Sequence, residues 1–239
     1  GTVGKMSLLT TANKTSAAVG TTAATISGNI DAKDSSLSSS TGKAVTLGIY
    51  GADGKEYTLK FKLTDAGDSD ATTYNLSLNG ITDADGKAVT TTATNSYALQ
   101  YNASTGKFVS VNGDTTGTSV ALTLPAAIGS MTLDLSSTTN YAATTSGNST
   151  ISAATGTSDG KTGKGRLAGT MNGMTVSKNG MINATYTNGD TRLLGQIAVA
   201  EFANASGLEK AGNNLYSASA NSGAAQLMDV TTDGGSITT

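Results

Sequence analysis

Nine Asn-Gly and Asp-Gly dipeptides punctuate this chain, and they constrain its fold more than any other feature. Asn-Gly occurs at 79–80, 112–113, 172–173, 179–180 and 188–189; Asp-Gly occurs at 53–54, 85–86, 159–160 and 233–234. Such pairs supply the positive-φ positions that tight two-residue hairpin turns demand, and they predict such turns. Short runs of alternating polarity lie between them. In Glu56-Tyr57-Thr58-Leu59-Lys60-Phe61-Lys62-Leu63 the apolar residues fall on one face and the polar ones on the other. That is the period of a strand with one side buried. With the preceding run 45–50 and the turn at 51–55, it predicts a hairpin.

Similar runs predict strands at 73–79, 97–101, 107–111, 119–124 and 131–135, and a second set at 166–171, 174–177, 181–187 and 191–202. Helix-length apolar periodicity is missing, and only 208–211 and 222–228 read as helical turns. The segment 6–20 reads as a short helix or extended arm. Residues 142–164 are rich in Thr, Ser, Gly and Ala and read as a crossing between two domains. The expected class is all-β, with two β-rich domains of sandwich or barrel type.

Composition removes several functions. Cys, His and Trp are all absent from the 239 residues. Without Cys there are no disulfides, thiolate nucleophiles or zinc–sulfur sites, and without His the commonest general base and transition-metal ligand are gone. A net charge of -2 gives no footprint for nucleic acid. No apolar run reaches the length of a membrane helix, and no basic start followed by an apolar stretch marks a secretory signal. Lys161, Lys164 and Arg166 read as solvated loop charges.

The remaining polar clusters favour turns over sites. Asp83-Ala84-Asp85-Gly86 starts like a calcium loop, but the twelfth position, which should carry a carboxylate, is Thr94. Asp65, Asp68 and Asp70 read as a solvated loop. Glu201 and Glu209 could form a hydrolytic carboxylate pair, yet Glu201 precedes the apolar Phe202 and no aromatic platform accompanies it. Met171, Met174, Met181 and Met228 read as ordinary core filling, against the alternative of a surface that repacks. No catalytic residue, cofactor or metal site is expected.

One stretch carries a family likeness. Leu194-Gly195-Gln196-Ile197-Ala198 leads into Glu201-Phe202-Ala203-Asn204-Ala205-Ser206-Gly207-Leu208, then Gly212-Asn213-Asn214-Leu215-Tyr216 and Ser222-Gly223. It resembles the C-terminal core signature of the bacterial flagellar hook protein family and its rod relatives. Gly165–Gly169, Val176–Ile182 and Tyr186–Gly189 resemble the hairpins by which that family re-enters its inner domain. Residues 24–31, 45–63 and 131–141 resemble strands of its outer domain. Ala205 departs from the pattern, since many relatives carry Pro there.

The resemblance implies an outer β domain inserted into an inner one. On this reading 1–20 is an arm of the inner domain, 21–164 the outer domain and 165–239 the return. It implies a structural subunit of the flagellar hook, the curved tube that transmits torque from motor to filament as a universal joint. The implied partners are other hook subunits in a homo-polymer, the rod and hook–filament junction proteins, and the hook cap during assembly. The implied location is extracellular, reached without a cleaved signal peptide. The family's terminal helices are missing from both ends, which marks a central fragment. The family-signature positions, Gly195, Gln196, Phe202, Asn204, Gly207, Leu208, Gly212, Asn214, Leu215 and Gly223, are implied to shape the inner domain. The rival reading is an adhesin-like or surface-layer β domain that binds glycan or protein.

Overall fold

The computed structural model describes residues 6–91, 95–232 and 235–237. The Asp233-Gly234 turn and Thr94 lie outside the described residues. Strands dominate: β1 Thr15–Ser16, β2 Ala23–Ile30, β3 Lys43–Tyr50, β4 Glu56–Asp65, β5 Thr73–Asp83, β6 Ser96–Tyr101, β7 Phe108–Val111, β8 Ser119–Leu122, β9 Met131–Asn140 and β10 Ser152–Thr155 come first. They are followed by β11 Gly169–Val176, β12 Met181–Tyr186, β13 Thr191–Gln196, β14 Ala198–Glu201, β15 Glu209–Gly212, β16 Leu215–Ser217 and β17 Gln226–Asp229. Two single-turn helices, α1 Thr11–Lys14 and α2 Ser35–Ser38, and a 3-10 turn Ala205–Gly207 complete the described elements. The all-β expectation is met. Two compact units divide the chain: Ala17–Ala168, and Gly1–Ser16 with Gly169–Thr239.

The 17–168 unit contains a five-stranded meander, β3-β4-β5-β6-β7, and a four-stranded sheet ordered β10-β2-β9-β8. One continuous core joins them. Val45, Leu47 and Ile49 from β3, Tyr57, Leu59, Phe61 and Leu63 from β4, and Ile26, Leu133 and Leu135 from the second sheet all belong to it. The alternation seen in the sequence of β4 is therefore the burial alternation of the strand. Each such side chain contributes about 1.5–3 kcal/mol by leaving water. The one parallel pairing in this unit among the described residues, β2 with β9, joins strands about a hundred residues apart and leaves no local sequence signal.

The turn dipeptides act differently from the two-residue expectation. At Gly51–Lys55, Asp83–Lys87, Ser177–Met181 and Tyr186–Asp190 the first N–H donates to the carbonyl of the last residue, at 2.8–3.0 Å. In each the glycine N–H also donates back to the first carbonyl, and Gly54, Gly86, Gly180 and Gly189 sit at φ 79–81°. These are three-residue loops built on a turn plus a left-handed glycine, so the Asp or Asn before it keeps a negative φ. Among the described pairs only Asn112-Gly113 forms the two-residue turn, with φ of 52° and 81°. Asn79 and Asn172 are not in turns at all. Each is the extra residue of a bulge, in β5 and β11 respectively.

Residues 142–164 are not a crossing between domains. Ser152–Thr155 pairs antiparallel with β2, and Ser149 is buried. Two buried aspartates fasten the preceding loop. Asp31 accepts from Ala143 N at 3.1 Å, and Asp34 accepts from Ser149 N at 2.8 Å. Burial opposes ionisation of Asp34, but hydrogen bonds from Ser36 and Ser149 outweigh it and hold its carboxyl well below the usual range. Lys43 adds an ion pair at 3.5 Å. Polar loops carry no hydrophobic periodicity, so such fastening is invisible to a pattern-based reading.

Candidate assembly surface

The second unit has a thin core. Its sheet runs β1-β11-β12-β13, and its buried apolar residues are Ile182, Ala184 and Tyr186 on one face of β12, with Val230. Polar contacts complete it: Tyr186 Oη donates to Asn13 O at 2.8 Å, and Ser16 Oγ donates to Asp190 at 2.6 Å. The runs 166–171 and 174–177 are one strand interrupted by the Asn172 bulge, while 191–202 is two strands, β13 and β14.

The family-signature residues spread over this unit. Gly195 pairs with Ile182, and Gln196 pairs with Met181 and donates from Nε2 to Asn179 O at 3.2 Å. Phe202 and Leu208 are half-buried at the two sides of the 3-10 turn. Asn204 stands at the N-cap position of that turn and ties it to the 219–222 segment, its N donating to Ser222 O at 3.3 Å and its Nδ2 to Asn221 O at 3.1 Å. Gly207 packs against the same segment, where a Cβ would fall 2.7 Å from the Asn221 carbonyl. Ser219 Oγ donates to Gly207 O at 2.6 Å. Gly223 sits at φ 75° just beyond. Gly212 and Leu215 are register partners closing the β15–β16 hairpin, whose central Asn213 and Asn214 take φ of 49° and 59°. Two consecutive left-handed asparagines make this a primed turn without glycine at its centre.

Two expectations fail here. The helical turns at 208–211 and 222–228 are strands β15 and β17; β15 continues into a hairpin and β17 pairs with β14. Pairing across a turn outweighs the weak helical propensity of such short runs. The methionines are not core filling: Met174 and Met181 are exposed, and Met171 and Met228 are half-buried.

Exposure is the main property of this unit. Of the thirteen exposed large hydrophobic residues among the described ones, ten lie here, against Val19, Val109 and Tyr141 in the other unit. Leu215 and Tyr216 at the hairpin tip are 64% and 61% exposed. Every residue of β14 and of β16 is exposed. A two-stranded ribbon without a buried face is marginal alone, and so many exposed large apolar side chains make this unit a candidate for contact. Glu201 and Glu209 are both exposed. No cluster of carboxylates able to hold a metal occurs among the described residues. Asp83 instead accepts from Asp85 N and Lys87 N, and Asp68 from Thr72 and Thr73, as turn caps do.

No protein-family profile matches the chain. Over 63 residues it is 43% identical to the flagellar hook protein FlgE of Treponema pallidum, and over 52 residues 44% identical to that of Escherichia coli. The hook-protein resemblance holds. The matched stretches cover 26% and 22% of this chain and only 14% and 13% of those two proteins. Among solved structures, a flagellar hook protein of Helicobacter pylori, FlgE2, is similar over 73% of this chain and 36% of its own, at 19% identity and a TM-score of 0.43.

Proposed function

We propose that the chain is part of a structural subunit of the bacterial flagellar hook, the curved extracellular tube that couples motor to filament. The local identity to two hook proteins carries this reading. The distribution of exposed apolar residues supports it. A subunit repeated head-to-tail in a non-closing array needs contacts between two different surfaces that complement each other. The 169–239 part would supply them, as the inner domain.

The inserted 17–168 unit would serve as the outer domain. Its surface is polar, so neighbouring copies could slide while re-exposing little apolar area. A tube that compresses and extends once per turn requires that. Other hook subunits would be the main partners, with rod, junction and cap proteins at the ends of the assembly. The role is mechanical, not catalytic.

Immunogold electron microscopy of whole cells, with antibody against this chain, tests the proposal. Label confined to the short curved segment between cell body and filament is the expected result. Label spread over the cell surface would replace it with the adhesin-like reading.

A further inference from the structure

The five Asn-Gly pairs are chemically labile steps, and the fold treats them unequally. Glycine has no Cβ to shield its backbone nitrogen, so that nitrogen can attack the carbonyl carbon of the preceding asparagine side chain. A C–N bond forms, the C–NH2 bond breaks, and ammonia leaves with the proton lost from the glycine N–H. Water then opens the resulting five-membered succinimide at either carbonyl, giving aspartate or isoaspartate. The reaction needs an asparagine amide free to swing over its own backbone.

Four of the five are held. Asn112 Oδ1 accepts from Ala98 N at 2.8 Å, Asn188 Oδ1 from Asp190 N at 3.1 Å, and Asn179 Oδ1 from Met181 N at 3.3 Å. At two of these the attacking nitrogen is also engaged, since Gly180 N and Gly189 N donate across their turns at 2.8 and 3.0 Å. Asn172 lies in a bulge, but its Oδ1 accepts from Thr185 Oγ1 at 3.0 Å. Asn79 differs. It is exposed, and its side chain makes no hydrogen bond among the described residues. It is also the extra residue of the β5 bulge, between Leu78 opposite Phe61 and Gly80 opposite Lys60. A bulge leaves that residue out of the ladder and loosens the local pairing. Nothing lies within 4 Å of where a Gly80 Cβ would be.

We propose that Asn79 is the site at which this protein deamidates in its folded state. The new carboxylate would stand beside the exposed Lys60 and take the net charge from -2 to one unit lower.

Ageing the whole chain at mildly alkaline pH, with peptide mass mapping over time, tests this. The tryptic peptide 63–87 should gain the deamidation mass first, at Asn79, with isoaspartate as the major product. In urea the five sites should react at similar rates. Another Asn-Gly pair leading in the folded chain overturns the proposal. Gly80→Ala should remove the lead of Asn79 without affecting folding, because the site is open and its φ is not positive. Thr185→Val frees the Asn172 amide and should speed that site roughly fivefold, the factor a typical net hydrogen bond is worth. No change at Asn172 in a folded Thr185→Val protein would also overturn it.

Discussion

Tyr101 offers the sharpest test of how the 17–168 core is held. Its ring meets Tyr74 and Phe108 edge-on at centroid distances of 6.0 and 5.9 Å. Its hydroxyl donates to Thr138 Oγ1 at 2.8 Å, and Thr138 in turn donates to Leu135 O at 2.7 Å. Tyr101→Phe keeps the ring and removes one buried hydrogen bond, which should cost about 1 kcal/mol at pH 8.

The alkaline limb adds a sign that packing alone would not. Burial pushes the Tyr101 phenol up to about 12, against an ordinary value of 10.0. The folded state therefore keeps its proton where the unfolded chain has lost it. Stability is fully present below pH 10 and falls as pH climbs toward 12, by up to about 2.7 kcal/mol over that interval. The phenylalanine variant lacks this loss, so its deficit should close and reverse at about pH 10.7, roughly 0.7 unit into the window by the same slope. Tyr74, also pushed up to about 12 by burial, titrates in both proteins; its charge adds the smallest part of the Tyr101 shift, so most of its effect is common to the two. Urea midpoints from pH 8 to 11.5 measure it. A stability gap that stays constant across that range would refute the buried, neutral phenol.

Three further outcomes follow from the geometry. Asp34→Asn should flatten the acid limb: the wild-type carboxylate contributes stability above about pH 4 that is lost as pH falls through its depressed folded value, and stability against pH reads this directly. Gly207→Ala places a Cβ against the Asn221 backbone and should cost about 1–3 kcal/mol, with faster amide exchange at 204–223. Leu215→Ser with Tyr216→Ser should leave urea stability within about 0.5 kcal/mol, because both side chains are exposed, yet lower self-association measured by light scattering.

The strands were legible where one face is buried against one neighbour. Tyr57, Leu59, Phe61 and Leu63 announce β4 because each alternate residue enters the core. β9 was harder: the run 131–135 is apolar by alternation, but the strand continues to Asn140 through Ser136, Ser137 and Thr139, held by its parallel pairing with β2. The β14–β17 pair was read as part strand, part helix, since strands exposed on both faces carry no burial period. Turn dipeptides located the chain reversals at Asp53, Asp85, Asn179 and Asn188, yet not the loop type. Asparagine and aspartate suit either backbone region, and only the glycine is forced to positive φ. The exposed apolar surface of the second unit is visible in the sequence only as the alternative reading of its methionines, because sequence alone cannot distinguish a methionine in a core from Met174 in solvent.

The chain passes from one unit to the other, and back again, at adjacent positions. Ser16 and Gly169 are register partners in the β1–β11 pair, and Val19 and Arg166 bridge each other just beyond. The chain therefore enters and leaves 17–168 at two neighbouring residues of an antiparallel pair. Excised at that point, the 17–168 unit would leave ends that a short hairpin turn could rejoin. The large unit is in this sense a removable cassette, which an engineer could trade for a short turn while β1 and β11 keep their register.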